Sequence, residues 1–373
     1  MTYAAITGWG KCLPPGILTN EDLATFLETD DQWIISRTGI KERRISHVPL
    51  TDLAYVASCR ALACAGLAAK DLQMIVVGTC TYDEQVPNSS SGLQYKLGAA
   101  QASAIDINTA CTSFLYGLSA ATAMIRTGVV RNALVVGVEV ISPYMDWTNR
   151  NVAVLFGDGA AAVVLQDADL PEGLLGEHLG CYADARQTLR VRGAGALYVN
   201  KGLVYGNTVW DFDGQEIFKK AVLGMAQASE QVLNRCGVSI ADLDLVVPHQ
   251  ANLRIIEAVA KRTGTPTGKV FLTVQKYGNM SAATVPVALV EAVEEGRITP
   301  NDLILMPAFG GGLTLCAHLV RWGQRVEPLG TSDIDLPPCS QSALEMVNEL
   351  RKVKDPIERS TSALMDCRFA ETP

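Results

Sequence analysis

Short, almost unbroken apolar runs alternate along this chain with longer stretches whose apolar positions return at helical spacing. The runs DLQMIVVGTCT (71–81), VVRNALVVGVEV (129–140), DLDLVVPHQAN (242–252) and RITPNDLILMPAFG (297–310) are rich in Val, Ile and Leu. Strands buried on both faces of a sheet have that composition, and the helical stretches between them predict an α/β chain with a helix-covered sheet. The pattern also repeats. One helix begins at Cys111 and runs to Gly128, and Asn279 precedes another that runs to Gly296, each followed by an apolar strand. Counting back from the two glycines makes Cys111 and Asn279 equivalent, and 71–81 matches 242–252. Two related halves are therefore expected to meet face to face.

Three residues fall at the ends of these elements. Cys111, in DINTACTSFLYGLSAATAMI (106–125), stands just before a helix, where unpaired N–H groups and the helix dipole favour thiolate over thiol. A lowered pKa and acyl-thioester chemistry are the expectation for it. The chain has ten cysteines, however, and a free cysteine often merely fills apolar space. His249 closes a strand-like run and opens a helix, a position where α/β folds place catalytic groups, and Asn279 precedes a helix within KYGNMSAATVPVAL (276–289). Cysteine, histidine and asparagine at one junction make a nucleophile with two hydrogen-bonding partners.

At this point the sequence resembles a known family, the ketoacyl synthase III branch of the thiolase-fold condensing enzymes. The resemblance spans residues 1–322 and rests on WIISRTGIKERR (33–44), the Cys111 segment, FGDGAAAVVL (156–165), PHQANLRI (248–255), YGNMSAA (277–283) and AFGGGLT (308–314). It implies a thiolase-like fold of duplicated βαβ-type halves in α-β-α-β-α layers: residues 1–165 with the nucleophile, 166–322 with His249 and Asn279. Met280 stands where the family more often has Thr, a departure that bears on substrate preference more than on catalysis.

The same resemblance implies a mechanism. Cys111 takes an acyl group from an acyl-CoA while the N–H groups of Cys111 and Gly311 hold the oxyanion. Malonyl-acyl carrier protein then loses carbon dioxide, and its enolate, held by His249 and Asn279, attacks the acyl-cysteine in a decarboxylative Claisen condensation of fatty-acid synthesis. An enolate needs hydrogen-bond donors, and imidazole and carboxamide supply them without a buried full charge. Phe309 is expected to orient His249. Trp33, Arg37 and Arg150 match family positions around coenzyme A, where stacking and guanidinium–phosphate pairing suit the ligand. Arg254, Lys261 and Arg262 share a helix, the first two on one face, and form a candidate docking surface for an acidic carrier protein. Val86, in TYDEQVPNSSS (81–91), replaces the phenylalanine that limits acetyl-specific relatives. An opened pocket gains roughly 0.8 kcal/mol per buried methylene, so a medium-chain donor is expected. The family also implies a homodimer that closes each acyl pocket with its partner's loop.

Composition narrows the alternatives. With 39 acidic against 31 basic residues and a net charge of −8, nucleic-acid binding is disfavoured. Four histidines without a clustered ligand pattern argue against a metal, and coenzyme A thioesters are expected as substrates with no further cofactor. MTYAAITGWGKCLPP does not read as a signal peptide, no run is long enough for membrane insertion, and the cysteine spacings suit reduced thiols, so a cytoplasmic enzyme is expected. Two competing readings are a relative passing its acyl group to another acceptor in secondary metabolism, and a non-catalytic subunit, which the intact Cys111, His249 and Asn279 disfavour. Residues 323–373 extend past the family's usual end. There SALEMVNELRKVKD reads as a short amphipathic helix with Leu344, Met346, Val347 and Leu350 on its apolar face, followed by a flexible tail.

Overall fold

The computed structural model describes residues 2–199 and 208–352; the tail expected beyond the extension helix lies outside the described residues. Among the described residues nine strands form one sheet. Their order is Leu245–Val246, Leu303–Gly310, Thr314–Arg321, Gly173–Cys181, Tyr3–Cys12, Gly159–Ala168, Asn132–Glu139, Met74–Gly78 and Ser103–Ile107. A single pair, Ala4 with Gly173, joins its two parts. On either side of that seam the senses repeat. Tyr3–Cys12 is antiparallel to Gly159–Ala168, that strand is antiparallel to Asn132–Glu139, and the next two pairings are parallel. Gly173–Cys181, Thr314–Arg321, Leu303–Gly310 and Leu245–Val246 follow the same sequence, ending in a parallel bridge from Val246 to Val270.

Helices fill three layers around these parts. Leu50–Ala65 covers the outer face of the first part, Gly214–Cys236 and Leu253–Thr263 that of the second. Ser113–Arg126 and Thr284–Glu294 lie between them in one shared core with apolar residues of both. Thr284–Glu294 is buried on all sides, which its sequence TVPVALVEAVE permits because every residue but the glutamates is apolar or Thr. Glu291 tolerates burial because Lys11, Lys276 and the Tyr277 hydroxyl all reach its carboxylate. This is the expected α-β-α-β-α thiolase-like arrangement. No helix among the described residues is long and apolar enough to cross a membrane.

Two expectations need adjustment. The boundary drawn between 165 and 166 falls inside the strand Gly159–Ala168. The equivalence of Cys111 and Asn279 is wrong by three positions. Thr284–Glu294 has 11 residues and Ser113–Arg126 has 14, so counting back from the C-terminal glycines loses the frame at the other end. The local bonds set it instead. Asn108 Oδ1 accepts from Ala110 N at 3.2 Å and Asn279 Oδ1 from Ser281 N at 2.8 Å. Ser113 Oγ donates to Ala110 O and Thr284 Oγ1 to Ser281 O, and Ala110 and Ser281 share a left-handed backbone (φ 51° and 45°). Asn279 thus corresponds to Asn108, and Cys111 to Ala282.

The extension does not trail free. Arg60 pairs with Asp335, His47 Nε2 meets Pro337 O at 2.8 Å, and residues 343–352 are helical, opened by a Ser342–Glu345 capping box. Ala343, Met346 and Val347 are buried, and Leu344 and Leu350 pack partly, in a surface cluster with Leu18, Leu23, Ile34 and Trp147. Burying Val347 and Met346 contributes on the order of 2 kcal/mol each.

Candidate active site

The junction of the two related parts opens into a cavity of about 1340 Å³ whose walls include Cys111, His249, Asn279, Phe309 and Gly311. The expected catalytic residues therefore share one space. Cys111 stands in a short 3-10 turn, Ala110–Thr112, that leads into the helix Ser113–Arg126, and is 8% exposed. Its expected low pKa is not found. Burial pushes the thiol up to about 11, outweighing the Ser281 hydroxyl and the N–H groups of Cys111 and Gly311 that bear on the sulfur. The dipole argument fails because desolvation by burial costs more than a helix end returns. The two N–H groups converge on the nucleophile, as an oxyanion site requires. Glycine is obligatory beside it: a Cβ on Gly310 would lie 2.8 Å from Cys111 N.

His249 follows Leu245–Val246 and is fixed by its backbone, its N–H donating to Pro307 O at 2.8 Å. Burial pushes its imidazole down to about 3, so the ring is neutral at physiological pH. Its Nδ1 lies 2.6 Å from Thr284 Oγ1, which also has Ser281 O within 3.0 Å. Asn279 is held by its N–H to Leu155 O and by Oδ1 accepting from Ser281 N, which leaves Nδ2 as the donor without a partner among the described residues. Phe309 lines the cavity and packs with the cluster under Gly214–Cys236.

Sequence reasoning missed the polar support. Glu139, fully buried with no cation on it among the described residues, accepts from Thr79 Oγ1 (3.1 Å), Thr81 Oγ1 (2.5 Å), Cys80 Sγ (3.3 Å) and Ser281 Oγ (3.0 Å). Burial raises its pKa; the bonds from Thr81, Cys80 and Ser281 lower it. A lone glutamate inside the apolar run NALVVGVEV was the available signal. Thr284 and Ser281 gave none, being ordinary residues at a helix start.

At the cavity mouth Arg37 and Arg150 stack on Trp33, their guanidinium carbons 4.3 and 5.1 Å from the ring centre. Trp33 and Arg37 line the cavity; Arg150, anchored to Glu28 O at 2.6 Å, stands behind the ring. Arg254 is at the same mouth and exposed, donating to Ser36 O, with Lys261 and Arg262 exposed farther along its helix. Val86 is 83% exposed and is not among the residues lining its own chain's cavity. No group of three or more His, Cys, Asp or Glu among the described residues forms a metal site.

Fold and site together define a thiolase-like condensing acyltransferase. Residues 105–183 match the family described as 3-oxoacyl-[acyl-carrier-protein (ACP)] synthase III, and residues 233–322 match its C-terminal counterpart. A Vibrio cholerae relative, β-ketoacyl-[acyl-carrier-protein] synthase III 2, is 50% identical over 93% of this chain and 96% of its own. The synthase III of Roseiflexus castenholzii is 45% identical over 86% of this chain and 98% of its own. The crystal structure of the Aquifex aeolicus 3-oxoacyl-[acyl-carrier-protein] synthase III superposes with a TM-score of 0.80 at 40% identity, covering 86% of this chain and all of that one. The chain belongs to the β-ketoacyl-[acyl-carrier-protein] synthase III family. Its match to the Vibrio protein is long enough to reach into the extension helix.

Proposed function

We propose that this cavity joins an acyl-CoA to malonyl-acyl carrier protein in fatty-acid synthesis, with the two halves of the reaction divided between the two related parts of the chain. The convergence of Cys111, His249 and Asn279 on one cavity carries the reading. In the first half-reaction Cys111 sulfur bonds the acyl carbonyl carbon, the carbon–sulfur bond to coenzyme A breaks, and the departing thiol takes the cysteine proton. The N–H groups of Cys111 and Gly311 hold the oxyanion. In the second, malonyl thioester loses carbon dioxide and its enolate carbon attacks the acyl-cysteine, releasing the Cys111 thiolate. The enolate oxygen sits between Asn279 Nδ2 and His249 Nε2. For Nε2 to carry the proton, the Thr284 hydroxyl must turn from Ser281 O and donate to Nδ1, the shorter of its two contacts. Phe309 orients His249.

Trp33, Arg37 and Arg150 receive the adenine and phosphates of coenzyme A. Arg254, Lys261 and Arg262 have no ion-pair partner among the described residues of a chain with net charge −8, which supports docking of an acidic carrier protein. Exposed Val86, Tyr95 and Ile105, the last on the sheet's edge strand, support a homodimer in which Val86 borders the partner's acyl pocket. A medium-chain donor follows from the smaller valine. The test is intact-mass detection of the acyl-enzyme across a panel of acyl-CoAs, followed by malonyl-acyl carrier protein. The expected outcome is an octanoyl adduct consumed on malonyl addition, and a Val86→Phe variant that selectively loses octanoyl-CoA. A clear kcat/KM preference for acetyl-CoA overturns the chain length; an adduct that malonyl-acyl carrier protein leaves intact overturns the acceptor.

A further inference from the structure

The extension helix rests on the elements that carry the stacked Trp33 site. The face of residues 343–352 that holds Met346 and Val347 is buried in the same cluster as Ile34, one residue from Trp33, and Trp147 and Val152, which flank Arg150. Its outer end continues the contact: the Arg351 guanidinium lies 4.2 Å from the Phe26 ring centre, and Phe26 meets Trp147 edge-on at 6.4 Å. Two residues beyond Phe26, Glu28 O accepts from Arg150, which in turn covers Trp33. A packed chain therefore runs from the extension to the stack: Arg351, Phe26, the Glu28 carbonyl, Arg150, Trp33. Close fit at the base strengthens the linkage. A Cβ on Gly16 would lie 2.8 Å from Met346 Cε and 3.6 Å from Ala343 Cβ, so the hairpin strand Gly16–Thr19 and the extension helix lie side by side.

We infer that the extension is a positioning strut for the nucleotide end of the acyl-CoA site, holding the segments that carry Arg150 and Trp33 in place before the thioester enters. Preorganisation of this kind shows in substrate binding, because side chains already ordered lose less freedom when the ligand arrives. The inference rests on the reading of Trp33, Arg37 and Arg150 as coenzyme A contacts. Arg351 and Val347 touch neither Cys111 nor the stack itself, so they act as positioning residues. The strut belongs to this chain and to relatives such as the Vibrio protein whose match extends into it; condensing enzymes that lack it must order this mouth by other means.

The experiment compares octanoyl-CoA with octanoyl-pantetheine, which has the same thioester and no nucleotide, in the full-length enzyme. Val347→Asp undocks the helix, and Arg351→Ala removes the Phe26 stack together with a bond to Asn348 within the same helix. The expected result is a KM for octanoyl-CoA raised about fivefold to tenfold in Val347→Asp and about threefold in Arg351→Ala, with kcat unchanged and KM for octanoyl-pantetheine unmoved. A helix that serves stability alone would change both substrates equally, and that outcome overturns the inference. Trp33→Ala separates the two layers of the argument. If Trp33→Ala loses the preference for octanoyl-CoA while Val347→Asp and Arg351→Ala keep it, the strut is refuted and the coenzyme A reading stands. If Trp33→Ala keeps the preference, that reading falls and the strut falls with it. Should Val347→Asp unfold by circular dichroism, Arg351→Ala decides alone.

Discussion

The turn that carries Cys111 and the turn that follows Asn279 are the same backbone device used for opposite purposes. In both, an asparagine carboxamide oxygen caps a residue with left-handed φ, a hydroxyl bonds back three residues, and a central helix begins. Each exposes a backbone N–H, that of Cys111 in one and of Ala282 in the other. What faces that N–H differs. Glu139 ends one strand and points its carboxylate at Ala282 N from 3.4 Å, while the equivalent end of the other strand is Gly310, where even a Cβ would crowd Cys111 N. One copy of the turn thus has its N–H faced by a carboxylate, and the other has room beside its N–H for the oxyanion of the proposed mechanism. The two turns share one geometry, and a glutamate facing one with a glycine facing the other is what separates them.

The comparison breaks most easily at its reactive residues. Cys111→Ala removes the nucleophile, so no acyl adduct is expected by intact mass with any acyl-CoA. Asn279→Ala and Asn108→Ala are the same change at equivalent positions, and their outcomes should differ. Loss of the Asn279 donor is expected to slow malonyl decarboxylation on the order of a hundredfold while acyl-enzyme still forms. Loss of the Asn108 cap should cost a few-fold at most, in acylation. Equal effects of the two substitutions on decarboxylation would show that the two turns are not specialised as described.

Much of this was legible in the sequence, for a physical reason. Buried strands such as MIVVG and LILMPAFG declare themselves through unbroken apolar character; Cys111 and His249 follow the ends of two other strands, and Asn279 follows a short helix. The frame of the repeat was misread because a three-residue difference in helix length leaves no mark on an apolar pattern. The thiol pKa was misjudged because a helix end is visible in sequence and the desolvation of a buried side chain is not. The Glu139 cluster gathers partners from three segments, 79–81, 139 and 281–282, whose meeting only the assembled sheet reveals.

Thr284 and Ser113 sharpen the comparison at a lower level. Both hydroxyls bond back to the turn, but only Thr284 also reaches a histidine. Thr284→Val keeps the shape and removes the proton that selects the His249 tautomer. The expected loss in decarboxylation is about tenfold, near the net value of one hydrogen bond, with acylation spared. Ser113→Ala should leave decarboxylation unchanged, since no catalytic ring depends on it. Isotopic release of carbon dioxide from labelled malonyl-acyl carrier protein measures both; a Thr284→Val enzyme that decarboxylates at the wild-type rate would show that the tautomer is set elsewhere.

The smallest effect concerns the strands themselves and appears as a pH dependence of stability. His318 pairs with Met306 where the related part pairs Val163 with Val135, so a histidine occupies a place built elsewhere for valine. It is fully buried, its Nε2 2.8 Å from Ser119 Oγ, and burial pushes its pKa down to about 3 from 6.5. The unfolded chain takes up a proton at this residue as pH falls below 6.5, and the folded protein does not until about 3. Stability from this group is therefore complete above pH 6.5 and is lost on acidification, by up to about 1.4 kcal/mol per pH unit. His249 adds a loss of the same sign, whereas buried Glu139 and Asp158, both with raised pKa, bind their protons more readily when folded and oppose it. The wild-type profile is a sum of these, so the informative quantity is the difference between wild type and His318→Val. Urea unfolding from neutral pH down to about 5 should show the variant gaining on wild type by about 2 kcal/mol over that range, whatever its stability at neutral pH. A constant difference across the range would mean that His318 takes up its proton in the folded state as readily as in the unfolded chain.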